Sequence, residues 1–154
     1  MLRRLTLVLL TTFLALLAGP AYAAPTTDTN TEQGVVETFV EVFPTCEGGG
    51  PLYTITTTSN WILHETTFDD GRGHFTFAQT GTFTAVPLED STLPSYTGKF
   101  TNRGGFNANG SKVNGTFTFS VRGTGSDSST FANHSVEHFN VRPSGSANEF
   151  FHCH

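Results

Sequence analysis

Histidine is the residue type with the widest chemical scope in this chain, which contains six of them: His64, His74, His134, His138, His152 and His154. On a β-strand the four-residue spacing of His134 and His138 covers about 13 Å, at ~3.3 Å per residue, which is too far for one zinc ion. His152 and His154 fall on one face of a strand, so they would share a metal only with a third ligand from a neighbouring strand. We predict no metal site and expect solvated or hydrogen-bonded histidines.

Acid–base chemistry has candidate groups in two neighbouring pairs, His64-Glu65 and Glu137-His138. Adjacent strand residues point to opposite faces, so neither pair is expected to act as a catalytic dyad within its own strand. No serine stands in a Gly-x-Ser-x-Gly nucleophile elbow. The sequence therefore predicts no catalytic residue and no cofactor.

The segment 131–141 offers the best candidate site. If it forms a strand, Asn133 and Glu137 lie on one face and His134 and His138 on the other. If that strand lines a barrel, one of the two pairs enters the lumen, where polar groups need a partner, water or a ligand. We therefore predict ligand-binding roles for these four residues. The alternative is an edge strand with one solvated polar face.

Two cysteines, Cys46 and Cys153, are the only ones in the chain. In an oxidising compartment, two thiols without a third predict one disulfide, which would join the start of the domain to its penultimate residue. With both cysteines bonded, no thiolate is left for covalent catalysis.

Short alternating runs of Phe or Val with Thr or Ser recur along the chain, and no stretch has a helical apolar repeat. The clearest strands are 75–84 and 116–121, where Phe forms the buried face and Thr the exposed face. Further strands are predicted at 35–43, 52–58, 61–68, 95–102, 130–142 and 148–153, with breaks that include 104–110. The sequence predicts an all-β fold.

About eight strands in hairpin order favour a single antiparallel up-and-down β-barrel, with a two-sheet β-sandwich as the alternative. Local connections favour the barrel, and so do the strand glycines Gly81 and Gly98, which permit sharp curvature. A disulfide near both ends of the domain would help to close the seam.

The first 23 residues have the pattern of an export signal. Arg3 and Arg4 precede an apolar run over 5–17 that is too short to span a bilayer, and Ala21-Tyr22-Ala23 matches a small-x-small cleavage site. We expect cleavage after residue 23, a flexible polar leader at 24–33, and one β-barrel domain at 34–154. The expected location is extracellular.

The net charge is −5, and the signal holds two of the eight basic residues and none of the thirteen acidic ones. A mature chain of this charge is a poor partner for nucleic acid, since phosphate binding needs clustered Lys and Arg. No second apolar stretch approaches membrane length, so we expect no stable membrane insertion after cleavage. The sequence leaves the oligomeric state open.

Several runs carry a resemblance to known proteins: 115–121 (Gly-Thr-Phe-Thr-Phe-Ser-Val), 123–127 (Gly-Thr-Gly-Ser-Asp) and 138–141 (His-Phe-Asn-Val). Together with the signal peptide and the early and C-terminal cysteines, they resemble small secreted β-rich proteins of actinobacteria that have no assigned activity. The likeness covers most of the mature chain. It implies secretion and brings no catalytic residue.

Three functions are compatible with these features. The first is a secreted, non-enzymatic β-barrel that binds a small apolar or amphipathic ligand in its interior. The second is a cyclase or isomerase in the same barrel, which would use Glu137 or His138 with a bound water. The third is a cell-envelope or surface interaction protein that uses its outer strands. The volume of the interior distinguishes the first two from the third.

Overall fold

The computed structural model describes residues 24–44 and 49–154. The predicted signal peptide at 1–23 and Cys46 lie outside the described residues. The described part of the chain contains no helix that is long and apolar enough to cross a membrane.

Seven antiparallel strands make up one sheet: β1 Thr26–Val42, β2 Leu52–Thr67, β3 Arg72–Pro87, β4 Tyr96–Asn109, β5 Lys112–Gly125, β6 Thr130–Val141 and β7 Ala147–Cys153. Each strand pairs with the next one along the chain, from β1 to β7. The all-β prediction is confirmed. All seven strands exceed the usual five or six residues, and Thr and Phe alternate through parts of β3 and β5 with little interruption.

The sheet is not closed into the predicted barrel, because β1 and β7 stand at its two edges and do not pair within the described chain. β7 has seven residues against 12 in β6, so it covers only part of β6. The single sheet also differs from the alternative two-sheet sandwich.

One boundary difference explains why the described residues form seven strands where about eight were predicted. The predicted strands 52–58 and 61–68 are one continuous strand, β2. The predicted break at 104–110 is also shorter, since β4 runs to Asn109 and the chain turns at Gly110, where φ is 58°. Gly104 remains in the ladder because its partner Phe117 covers it with its ring.

Residues 26–33, which we expected to form a flexible leader, lie in β1 and pair with β2. Backbone pairing and polar side chains order this segment in place of apolar burial. Thr27 and Thr66 share a hydrogen bond of 3.1 Å between their hydroxyls, and Thr29 shares one of 2.8 Å with His64. The sequence criterion of apolar content missed this source of order.

A β-bulge divides β1, where Gln33 and Gly34 stand opposite the single residue Asn60. Gly34 has φ of 67°, and its backbone N–H donates to the side-chain oxygen of Asn60 at 2.8 Å. This left-handed conformation suits glycine. The extra residue reverses the alternation of the strand, so that Glu37 and Phe39 share a face with the buried residues of β2.

The inner face is defined here as the sheet face that carries the buried residues Tyr53, Ile55, Phe83 and Phe100, and the outer face as its opposite. The core lies at one end of the inner face and is built mainly from aromatic rings. Phe43, just after β1, forms its centre, with its ring centroid 4.9 to 5.8 Å from those of Tyr53, Phe83, Tyr96 and Phe131.

Candidate functional site

The inner face encloses a cavity of about 280 Å³, called the main cavity below. Residues from all seven strands line it, so the open sheet is curled around this space. Its apolar wall consists of Phe39, Phe43, Ile55, Phe83, Phe100, Phe119 and Val121. A concave, mostly apolar space with a few polar groups is the usual form of a small-molecule site.

The segment after β1 bounds one end of the main cavity. There Phe43 contacts the ring of Phe131 on β6, and the side-chain N–H of Asn133 donates to the backbone oxygen of Pro44. Side-chain contacts therefore join the β1 end of the sheet to β6, without a backbone ladder between the two edges. Phe39 and Phe119 line the cavity yet stay 46% and 38% exposed, which marks its opening to solvent.

The polar groups of the main cavity differ in how well they are satisfied. Gln79 donates from Nε2 to the Ser59 hydroxyl at 3.0 Å. Thr57 is 6% exposed, and its hydroxyl has no hydrogen-bond partner among the described residues. Leaving a buried hydroxyl unpaired costs about 1–3 kcal/mol, and among the described residues Thr57 is the buried side chain that has this cost.

Asn133 and Glu137, predicted to share a face of β6, both lie on the inner face. Asn133 lines the main cavity, where its amide is bound to Pro44. Glu137 lies in an adjoining hollow of about 270 Å³, which shares Phe119 and Ser135 with the main cavity. Glu137 is the only titratable side chain that lines this hollow among the described residues.

His134 and His138, the other predicted pair, lie on the outer face. The Nδ1 atom of His134 shares a hydrogen bond of 2.8 Å with the Ser120 hydroxyl, and that of His138 shares one of 2.8 Å with the Thr116 hydroxyl. Each histidine thus bonds to the residue directly opposite on β5. The four predicted residues divide between the two faces as two pairs, and Glu137 and His138 do not meet.

His134, His152 and His154 form a cluster on the outer face beside β7. The ring centroids of His152 and His154 are 4.5 Å apart, and those of His134 and His154 are 5.8 Å apart. Over residues 24–44 and 49–154, no group of three or more His, Cys, Asp or Glu side chains is arranged to hold a metal ion.

Charge is sorted between the two faces of the sheet. By strand alternation and register, the strand carboxylates of the inner face are Asp28, Glu32, Glu37, Glu41, Glu65, Glu137 and Glu149. The outer face carries the strand cations Arg72, Lys99, Arg103, Lys112 and Arg122 together with the histidines. Within the described strands, no Lys, Arg or His points to the inner face.

Four cavity residues escaped prediction from the sequence: Glu37, Glu41, Thr57 and Gln79. The first two depend on the β1 bulge, which a count of alternating residues does not include. Thr57 lies inside an unbroken run of three threonines, 56–58, whose members look alike in sequence. The register with Phe83 was the missing information, since it places Thr57 on the buried face.

No protein-family model, no curated protein and no solved structure matches this chain.

Proposed function

We propose that this protein is a non-enzymatic binding module that holds a small apolar or amphipathic molecule in the main cavity. The observation that carries this proposal is the cavity itself, about 280 Å³ of apolar-walled space that opens to solvent beside Phe39 and Phe119. Proteins rarely leave large apolar side chains exposed around a concave space unless something binds there.

The chemistry of the site favours binding over catalysis. Glu137 has no titratable partner lining its hollow, and His138 lies on the opposite face of the same strand. A general acid or base acts only within hydrogen-bond reach, directly or through one water, of the proton that it transfers. Glu137 and His138 therefore cannot act together on one substrate, which supports binding over the cyclase or isomerase alternative.

We further propose that the chain acts outside the cytoplasm, as the signal pattern at 1–23 indicates. A disulfide between Cys46 and Cys153 would then tie the segment after β1 to the end of β7. Pro44 and Cys153 both line the main cavity, which agrees with such a bond. It would hold the two sheet edges around the ligand as an incompletely closed barrel.

Binding is tested with N-phenyl-1-naphthylamine, a neutral apolar probe whose fluorescence rises on transfer from water to an apolar site. Trp61 is the only tryptophan, and it lies on the inner face, opposite Glu32 and Gln79. We expect saturable probe fluorescence and energy transfer from Trp61.

Two matched variants locate the probe. Ser135→Phe adds a ring to the wall of the main cavity, whereas Val136→Phe adds the same ring to the outer face of the same strand. Ser135→Phe should weaken probe binding at least about tenfold, which corresponds to the loss of one well-placed apolar interaction. Val136→Phe should leave probe binding unchanged. Equal effects of the two variants, or no saturable binding, would reject the proposed function.

A further inference from the structure

The carboxylates at the opening of the main cavity are not matched by any cation on their own face. Glu37 and Glu41 are exposed and line the cavity from β1. The strand cations lie on the other side of the sheet, and the single ion pair among the described residues joins Arg72 to Asp70 in a turn. The inner face therefore has a negative field that no neighbouring side chain neutralises.

The second observation is the unpaired hydroxyl of Thr57, which is independent of the carboxylates. Thr57 is 6% exposed and lines the same cavity. Its hydroxyl oxygen is covered in this conformer, and a change of χ1 rotamer would turn it to a ligand. The neighbouring amides of Gln79 and Asn133 already donate to Ser59 and Pro44. A ligand with a hydrogen-bonding group would supply what the protein does not.

These two features lie at one place in the fold. Glu37 is the direct cross-strand partner of Thr57, so their Cβ atoms stand about 5 Å apart on the inner face. A protonated amine has three N–H donors and no acceptor, and it can bond to a carboxylate and a hydroxyl oxygen at once. Apolar side chains surround this pair, with Ile55 and Phe83 next to Thr57.

We propose that the ligand of the main cavity is an amphipathic amine, whose ammonium group binds between Glu37 and Thr57 and whose hydrocarbon part packs against the apolar wall. Glu41, which follows Glu37 on the same face of β1, adds to the attraction at the opening. This inference rests on the proposed function and specifies the chemical class of its ligand.

The test uses four ligands with the same eight-carbon chain, each titrated against the bound neutral probe. Octylamine is a protonated amine at neutral pH, octyltrimethylammonium carries the charge without N–H donors, 1-octanol is neutral and octanoate is an anion. We expect octylamine to displace the probe best and octanoate worst. Octyltrimethylammonium should lie between them, because it keeps the attraction to Glu37 and cannot form the hydrogen bond to Thr57.

Variants test whether the preference for octylamine depends on Glu37 and Thr57. Glu37→Gln should weaken octylamine binding about two- to fivefold, the range for one exposed charge contact, and leave the binding of 1-octanol unchanged. The control Glu149→Gln removes an inner-face carboxylate that does not line the main cavity, so it should have little effect. Thr57→Val should remove the advantage of octylamine over octyltrimethylammonium, and Thr57→Ser should retain it.

The outcomes separate this inference from the proposed function. If the neutral probe binds in the cavity but octanoate displaces it as well as octylamine does, the amine inference is wrong and the binding function stands. The same conclusion follows if Glu37→Gln and Glu149→Gln weaken octylamine equally. If the probe does not bind at all, the proposed function fails first.

Discussion

The ring of Phe83 lies over Gly98, its direct partner on β4. The same arrangement recurs between neighbouring strands in the pairs Phe100/Gly81, Phe117/Gly104, Phe131/Gly123 and Phe139/Gly115. An aromatic ring that covers a glycine shields the backbone on both strands and takes the space of the missing side chain. These pairs let the inner face curl around a cavity without steric conflict.

Replacing Gly98 with alanine should destabilise the protein. A methyl group there would come 2.7 Å from Cε1 of Phe83, too close for a carbon contact, and backbone atoms of β5 block the other side. Overpacking of this kind costs about 1–3 kcal/mol. Urea unfolding measures the change, with the exposed Thr97→Val on the opposite face as the control. Equal stability of Gly98→Ala and wild type would contradict the contact.

Phe43 should be the most sensitive aromatic residue of the core. Its ring contacts four other rings and is 9% exposed, so Phe43→Ala should cost about 3–5 kcal/mol of unfolding free energy. Phe150, which is 59% exposed on β7, provides a matched control, and Phe150→Ala should cost less than about 1 kcal/mol. Chemical unfolding of both variants compares them directly. Similar decreases in stability would mean that Phe43 is not central to the core.

The β1 bulge is expected to depend on Gly34. A β-branched residue is strained at φ of 67°, so Gly34→Val should lower the unfolding free energy by about 1–2 kcal/mol. Gly34→Asn should be tolerated better, because asparagine enters the left-handed region more readily. Thermal unfolding ranks the two variants. If valine proves no worse than asparagine, the backbone at Gly34 is not held in the left-handed region.

Tyr53 should make stability fall in alkaline solution. Burial raises the pKa of its phenol above the usual 10.0, and the neighbouring Tyr96, Asp127 and Asp90 raise it further. This contribution to stability is complete below about pH 10 and is lost at higher pH, because the unfolded chain releases the proton first.

Tyr53→Phe tests that expectation. The variant also lacks the hydrogen bond of 3.1 Å that the Tyr53 hydroxyl donates to the backbone oxygen of Pro94, a cost of about 1 kcal/mol near neutral pH. Its stability should then fall less steeply than that of wild type above about pH 10. Unfolding in urea at several pH values gives both quantities. Parallel pH profiles would show that Tyr53 does not titrate with folding.

The predicted Cys46–Cys153 disulfide has a simple mass test. Alkylation of the purified chain without reductant should add no label, and alkylation after reduction should add two. In the chain-entropy model, closing a loop of ~100 residues contributes roughly 4.7 kcal/mol, so reduction should lower the melting temperature markedly. Labelling before reduction would show that the two thiols are not bonded to each other.

The sequence predicts the strand content well because Phe and Thr alternate at the period of a strand, and Gly-rich and Pro-rich clusters separate most strands. The turn at Asp69-Asp70-Gly71 is an example, where Gly71 has φ of 80°. Closure is harder to predict, because it depends on strand length and on contacts between distant residues. The contact of Phe43 with Phe131 joins residues far apart in the chain and has no local signal.

The candidate site was predicted only in part, because alternation within a strand is local whereas burial and register depend on neighbouring strands. Alternation correctly separated Asn133 and Glu137 from His134 and His138, since it is a local property of β6. It could not say which pair points inward, because the burial of that strand is set by its neighbours. Glu37 and Thr57 depend on pairing between β1 and β2, which includes an irregular register.

The free edge of β1 exposes a long row of backbone donors and acceptors of the kind that promotes strand addition and aggregation. A second copy that docked antiparallel along this edge would bring Glu32, Glu37 and Glu41 of both molecules onto a common surface. Like charges would then oppose self-assembly, and concentrated salt would weaken that repulsion because it screens exposed charges. The acidic residues of this edge would thus disfavour strand addition between copies, and storage at high salt would favour fibrous or gelled material.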